Sequence, residues 1–148
     1  MSIAPNFSIV TLGVANVSRS AEFYRALGWE QVRSESDGIT WFRTSGTWLG
    51  LYGYDLLAQD AAVEPVAQSA LPAYRGITLA INLPTEADVD AAFEVAAAAG
   101  APIIKAAHRA EWGGYSGYFT DPDGNLWELC FNPGFPIDAA GRIDIPKG

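Results

Sequence analysis

A tight turn between two apolar, aromatic strands, near the end of the chain, constrains this sequence more than any other stretch. Residues 115–120 and 126–131 combine aromatic and aliphatic side chains in a pattern that favours strands. Residues 121–124, Asp-Pro-Asp-Gly, predict the turn between them, because proline pre-sets φ and Gly124 accepts a positive φ. Glu128 lies inside the second strand, where an unpaired buried carboxylate is costly. The sequence therefore predicts a hairpin whose Glu128 carboxylate has either a chemical or an architectural role.

The predicted elements occur twice in the same order. Residues 7–54 read as a strand, a helix and three short strands, and residues 75–132 repeat that order. Residues 55–74 form a connector, and residues 133–148 are expected to lie extended over the surface or a partner. We therefore expect one α+β domain made of two βαβββ modules.

Capping residues and strand patterns give the finer expectations. Ser18 is predicted to cap the first helix, and Thr85 the second, with Asp88 as its capping-box partner. Residues 29–34 are expected to form the second strand of the first module. Residues 75–83 are expected to form the first strand of the second module.

Charge and composition restrict the partners. The chain has 17 acidic and 9 basic residues, a net charge of −8, and no basic stripe, so we expect no nucleic-acid partner. No apolar stretch approaches the roughly 20 residues of a membrane span, so we expect no membrane partner. A single cysteine excludes an internal disulfide and fits a reducing cytoplasm. Five tryptophans, six tyrosines and seven phenylalanines can line a cavity as well as fill a core.

Three motifs resemble the signatures of the vicinal-oxygen-chelate superfamily. Val-Thr-Leu-Gly-Val at 10–14 and Ser-Ala-Glu-Phe-Tyr-Arg-Ala-Leu-Gly at 20–28 resemble its opening. Tyr-Phe-Thr-Asp-Pro-Asp-Gly-Asn-Leu-Trp-Glu-Leu at 118–129 resembles its close. The superfamily includes glyoxalase I, extradiol dioxygenases, fosfomycin-resistance enzymes and bleomycin-resistance proteins. Over roughly residues 7–132, the resemblance implies a curled, cup-shaped mixed sheet with helices on its convex face, and a homodimer.

In metal-using members of that superfamily, a divalent ion sits in the cup, held by the first and last strands of each module. The resemblance places the four ligand positions on Ile9, Gly50, Thr78 and Glu128, of which only Glu128 ligates strongly. The chain has one histidine, His108, so a two-histidine-one-carboxylate set cannot come from a single chain. We expect no metal and no cofactor, with a divalent ion on an unusual ligand set as the alternative.

Strand parity predicts which side chains share the cup face with Glu128, because alternate residues of a strand point the same way. Glu128 is the candidate catalytic residue, as a general acid or base; its alternative role is structural. Trp112 and Tyr115 flank a Gly-Gly pair and form either a lid over the ligand or ordinary rim packing. Cys130 has no basic neighbour, which favours a small buried side chain over a thiolate. The candidate substrate-binding residues are Thr11, Trp48, Tyr52, Thr78, Asn82, Trp112, Tyr115 and Cys130.

Three functions remain in competition. The first is a metal-independent protein of the bleomycin-resistance type that binds a small aromatic or cationic molecule in the cup. The second is a lyase, isomerase or dioxygenase that uses Glu128, with or without a divalent metal. The third is an interaction module whose cup is filled by its own side chains.

Overall fold

Each half of the chain forms its own sheet in the structure, a computed structural model that describes residues 1–148. The chain divides into two units, Met1–Ala70 and Leu71–Gly148. The first unit holds a three-stranded sheet and the second a four-stranded sheet, and both mix parallel and antiparallel pairs. Together with three α-helices, these sheets confirm the predicted α+β class.

The first unit contains three strands and two α-helices. Its sheet has the order β1-β3-β2, with β1 parallel and β2 antiparallel to β3. A short 3₁₀ helix ends the unit. The elements are β1 (Ile9–Val14), α1 (Val17–Ala26), β2 (Ile39–Phe42), β3 (Trp48–Gly53) and α2 (Tyr54–Asp60).

Helix α1 covers one face of the first sheet. Its residues Phe23 and Tyr24 are buried, and the Tyr24 ring lies 5.7 Å from that of Phe42 on β2. Phe42 and Leu51 are completely buried on this face. The alternation of β3, in which Leu49 and Leu51 face the helix, places Trp48, Gly50 and Tyr52 on the opposite face. One face of the sheet is thus core, and the other meets α2 only toward its end at Gly13, where an added Cβ would contact Tyr54 and Leu57.

Asn16, not the predicted Ser18, caps helix α1. The Asn16 side chain accepts a hydrogen bond from the Arg19 N–H at 2.9 Å. Ser18 lies inside the first turn and donates its hydroxyl to Glu35 at 2.7 Å. The helix therefore begins two residues earlier than the serine indicated, because asparagine satisfies the free N–H groups of a first turn equally well.

Residues 29–34 do not form the predicted regular strand. A single bridge joins Gln31 to Phe42, and beyond it the hydroxyl of Thr40 donates to the Arg33 carbonyl. That side-chain bond uses an acceptor that a regular ladder would need. Asp37 and Gly38, with φ of 54° and 76°, then close a two-residue turn into β2.

The second unit has the complete βαβββ order. Its sheet has the order β4-β7-β6-β5, with β4 parallel to β7 and the other neighbours antiparallel. The elements are β4 (Leu79–Asn82), α3 (Glu86–Ala98), β5 (Ile103–Arg109), β6 (Tyr115–Thr120) and β7 (Leu126–Phe131).

Helix α3 begins as predicted and covers one face of the second sheet. Thr85 accepts the Asp88 N–H at 3.1 Å and donates its hydroxyl to the Asp88 carboxylate at 2.7 Å. The helix packs on β6 and β7, where Phe119 and Trp127 stack with ring centroids 6.4 Å apart. The predicted capping box is confirmed.

Strand β4 is shorter than the predicted 75–83. Gly76 has φ of 76°, which no strand residue adopts, so regular pairing starts only at Leu79. Upstream, the Arg75 guanidinium donates to the Asp123 carbonyl at 2.8 Å and to the Asn125 side chain at 3.2 Å. Arg75 thus holds the start of the second unit against the turn that precedes β7.

The predicted turn at residues 121–124 is confirmed. Asp121 is 2% exposed, and its carboxylate accepts the N–H groups of Asp123 and Asn125 at 2.9 and 2.8 Å. The other carboxylate oxygen accepts the Asn125 amide at 2.8 Å. Gly124 has φ of 81°, as the closing position requires.

The tail is more structured than the extended segment predicted from its prolines. Ile137 and Ile143 form a bridge around a tight loop. The Asp138 carboxylate accepts the N–H groups of Ala140 and Arg142, and the bond from Arg142 contributes most to lowering the Asp138 pKa. None of the helices reaches membrane-spanning length with sufficient apolar character.

Candidate ligand-binding site

Glu128 lies on the face of the second sheet that α3 does not cover. Directly beside it are Tyr118 on β6 and Ala80 on β4, and all three share one face because paired residues point the same way. The next row along the strands places Cys130 between Ser116 and Asn82. The side chains of Asn82, Tyr118 and Glu128 are half-buried. We call this surface the open face of the second sheet; its residues are Ala80, Asn82, Ser116, Tyr118, Glu128 and Cys130.

Tyr118 and Glu128 lie directly opposite each other across the hairpin. Burial raises the pKa of the Tyr118 hydroxyl, and the negative charge of Glu128 beside it raises that pKa further. The hydroxyl therefore keeps its proton at neutral pH.

The Glu128 carboxylate also affects the pKa of Cys130. Burial raises the pKa of its thiol, and the charge of Glu128 adds to the effect. The side chain is 6% exposed. Both causes favour the neutral thiol over a nucleophilic thiolate.

Glu128 has no cationic partner. Salt bridges join Arg43 to Glu30, Arg109 to Glu86 and Arg142 to Asp138, and Glu128 belongs to none of them. On β5, Lys105 pairs with Tyr118 and His108 with Ser116 in the backbone register, and neither forms a salt bridge with Glu128. The His108 ring nitrogen Nδ1 instead lies 3.1 Å from the Ser116 carbonyl.

The face of the first sheet opposite α1, which α2 meets at its Gly13 end, holds three more predicted residues, Thr11, Trp48 and Tyr52. Thr11 pairs with Gly50, and a Cβ added to Gly50 would lie 3.0 Å from the Thr11 Oγ1. The Arg43 guanidinium lies 4.9 Å from the ring centroid of Trp48, within cation–π range. These residues form an aromatic face in which Thr11 contributes the hydroxyl.

Trp112 and Tyr115 do not share the open face of the second sheet. Tyr115 has the opposite parity to Tyr118 and donates its hydroxyl to Asp90 on α3 at 2.7 Å, the bond that raises its pKa most. Trp112 is 58% exposed at the tip of the β5–β6 hairpin. Its indole lies on Gly114, where any added Cβ would overlap the ring. The lid role of these two residues stays a prediction.

Comparison with known proteins decides the family. A family model described as the Glyoxalase/Bleomycin resistance protein/Dioxygenase superfamily matches residues 6–129. The chain belongs to this superfamily.

Its relatives include enzymes. Over 121 residues, 81% of this chain and 75% of the relative, it is 31% identical to metallothiol transferase FosB of Shouchella clausii (strain KSM-K16). A glyoxalase-related enzyme from Fulvimarina pelagi superposes with a TM-score of 0.83 at 30% identity, covering 97% of this chain and 99% of that one. A lactoylglutathione lyase from Agrobacterium tumefaciens shares the fold, with a TM-score of 0.66 at 23% identity over 88% and 96% of the two chains.

This superfamily member does not offer the donor set of a divalent-metal site at the four expected positions. Ile9 has no ligating atom, and a side chain at Gly50 would meet both Ile9 and Thr11. Thr78 lies exposed just before β4. No three His, Cys, Asp or Glu side chains come together at any one point. A carboxylate beside a phenol does not fit the ligand demand of such an ion.

Tyr118 is the site residue of this superfamily protein that strand parity from Glu128 alone did not reveal. Its place follows from the turn: Thr120 pairs with Leu126 across residues 121–125, which brings Tyr118 opposite Glu128. Counting pairs outward from the Asp-Pro-Asp-Gly turn was the signal available in the sequence.

Proposed function

We propose that this member of the glyoxalase/bleomycin resistance/dioxygenase superfamily is a metal-independent protein that binds a small aromatic or cationic molecule. One observation carries the proposal: of the four positions that bear metal ligands in the superfamily, only Glu128 has a strong donor, and no two further His, Cys, Asp or Glu side chains join it. A half-buried face with a few polar groups suits an organic ligand.

The sheet faces opposite α1 and α3 support both parts of the ligand class. The first sheet presents Trp48 and Tyr52, whose rings suit a flat aromatic group. The second presents a carboxylate without a cationic partner in a protein of net charge −8, which favours the approach of a cation.

The experiment has two arms. Metal content is measured by elemental analysis after purification with and without chelator, and we expect no stoichiometric metal in either sample. Thermal unfolding is then followed with a library that contains aromatic amines, neutral aromatics and aromatic acids. A ligand at about 100 times its Kd stabilises the folded protein by about 2.7 kcal/mol. Tightly held stoichiometric Fe, Mn, Ni or Zn, or a library without any stabilising compound, would overturn the proposal.

An enzyme is the second candidate, supported by the transferase and the lyase among the similar proteins. Here Glu128 would act as general acid or base in a lyase, isomerase or dioxygenase-type reaction on a small oxygenated substrate. Turnover that Glu128→Gln abolishes would favour this candidate if the thermal midpoint falls by no more than about 3 °C, the shift that about 1 kcal/mol causes in a domain of this size.

The working form is proposed to be a cytoplasmic homodimer. Large apolar side chains remain exposed beside or on the edge strands, with Phe7 70% exposed before β1 and Ile104 58% exposed on β5. A second copy of the chain is a natural cover for such residues. The only cysteine, Cys130, is free, as suits a reducing compartment.

A further inference from the structure

We infer that Glu128 and Tyr118 together form a receptor for a monovalent organic cation that carries N–H groups, such as a primary ammonium or an amidinium. The inference rests on the proposed binding function and names the ligand class for the open face of the second sheet. It assigns a binding role to Tyr118, beside that of Glu128.

The charge of Glu128 is the first argument. The carboxylate lies half-buried in mid-sheet, and none of the salt bridges of the protein involves it. Lys105, two strands away in the same row, does not pair with it. A charge of this kind, partly removed from water, gains most from a cation that arrives as a ligand.

Hydrogen-bond inventory is the second argument. A carboxylate only accepts, and the phenol oxygen of Tyr118, directly opposite it in the register, also accepts. Facing a ligand, the pair therefore presents lone pairs of both groups. A ligand that satisfies both groups must supply N–H donors, so a quaternary ammonium or a carboxylate satisfies them poorly.

Space beside the pair is the third argument. On the β4 side, Glu128 faces Ala80, an exposed residue with only a methyl group. The nearest polar side chain on that strand is Asn82, opposite Cys130. A cationic head group can approach Glu128 from this side, where the Asn82 amide oxygen offers it a further acceptor.

The test uses a matched series of one-ring compounds and isothermal titration of the full chain. Benzylamine and benzamidine carry N–H cations, benzyltrimethylammonium carries a cation without N–H, benzyl alcohol is neutral and benzoate is an anion. We expect benzylamine and benzamidine to bind at least about tenfold more tightly than the other three, since charge-assisted hydrogen bonds are the strong ones.

Matched variants test whether Glu128 and Tyr118 cause the preference for N–H cations. Glu128→Gln is expected to weaken benzylamine binding at least about tenfold, and Tyr118→Phe about three- to tenfold. The controls are Glu94→Gln, an equal charge loss at an exposed site on α3, and Tyr115→Phe, which removes the hydroxyl bound to Asp90 on the other face. Because Tyr115 is itself a candidate binding residue, Tyr54→Phe, which removes a hydroxyl that donates to the Val66 carbonyl in the first unit, is the tyrosine control that decides. Glu94→Gln and Tyr54→Phe are expected to bind as the parent does. Glu128→Leu, which also removes the charge and suits an apolar strand, replaces Glu128→Gln if circular dichroism shows that the latter is unfolded.

The outcomes separate this inference from the proposed function. If library compounds bind but the N–H cations have no advantage, or if Glu128→Gln binds benzylamine like the parent, the cation receptor is wrong and the binding function stands. If neither the library nor the series binds, both fail. A preference for N–H cations that both variants reduce and that Glu94→Gln and Tyr54→Phe retain establishes the receptor.

Discussion

Glu128 changes the chemistry of its neighbours without being neutralised by them. Its charge raises the pKa of Tyr118 and of Cys130, so both acids beside it stay protonated at neutral pH. Three acidic groups in one patch therefore carry a single negative charge, placed on the carboxylate. That arrangement suits recognition of one positive charge better than it suits thiolate chemistry.

Removal of the Glu128 charge is expected to lower the pKa of Cys130. Burial, the larger cause, persists in Glu128→Gln, but the electrostatic cause disappears, so the thiolate forms at lower pH. Iodoacetamide labelling of this single cysteine, followed against pH by mass spectrometry, measures the midpoint. The other titratable groups on this face are Tyr118, Lys105 and His108, and the substitution leaves all three in place.

The control for that measurement is Glu94→Gln, which removes a charge on the exposed side of α3. Its labelling midpoint is expected to match that of the parent protein. An unchanged midpoint in Glu128→Gln would contradict the assigned electrostatic effect.

A methyl group at Gly50 is expected to destabilise the protein by about 1–3 kcal/mol, because it would crowd Thr11 at 3.0 Å. In a Thr11→Ala background the cost is expected to fall, with a coupling energy of at least about 0.5 kcal/mol. Urea denaturation of the four proteins measures this cycle. Gly46→Ala is the control, since a Cβ there meets nothing within 4 Å. Equal losses of stability for Gly50→Ala in the parent and in Thr11→Ala would show that contact with Thr11 is not the cause.

At the residue scale, sequence predicted the isolated carboxylate but not its partner. Glu128 stood out because it is the one ionisable side chain in an apolar strand. The position of Tyr118 opposite Glu128 depends on register, which the five residues of the turn determine. The Tyr115–Asp90 bond joins residues far apart in the chain, and no local pattern reports such a contact.

At the element scale, the competing helix caps give a direct test. Asn16→Ala is expected to cost about 1 kcal/mol of unfolding free energy, because the first turn loses its side-chain acceptor. Ser18→Ala removes only an exposed bond to Glu35 and is expected to change stability by no more than about 0.5 kcal/mol. Chemical denaturation of the two variants measures both values. A larger loss of stability for Ser18→Ala than for Asn16→Ala would identify Ser18, not Asn16, as the capping residue.

Elements with strong local signals were predictable, and those shaped by single side chains were not. The capping box at Thr85 and the turn at Asp121 depend on residues within four positions of each other, so their sequence sufficed. The irregular segment at 29–34 depends on the Thr40 hydroxyl, and the late start of β4 on the conformation of Gly76. Strand propensity does not report such effects of a single hydroxyl or a single glycine.

At the scale of the whole molecule, the proposed homodimer predicts twice the mass of one chain in solution. Light scattering coupled to size exclusion measures that mass, and dilution series show whether the pair dissociates. The exposed Phe7 and Ile104 give the physical reason, since apolar side chains that remain in water favour association. A mass equal to one chain at all concentrations would contradict the dimer.

The hairpin that joins Tyr118 to Glu128 also has a consequence for folding order. The two residues meet across one short turn, so their contact needs little loop closure and can form in about 1–10 μs. The parallel pairing of β4 with β7 joins distant parts of the chain and must come later. We therefore expect the phenol and the carboxylate to come opposite each other before β4 pairs with β7.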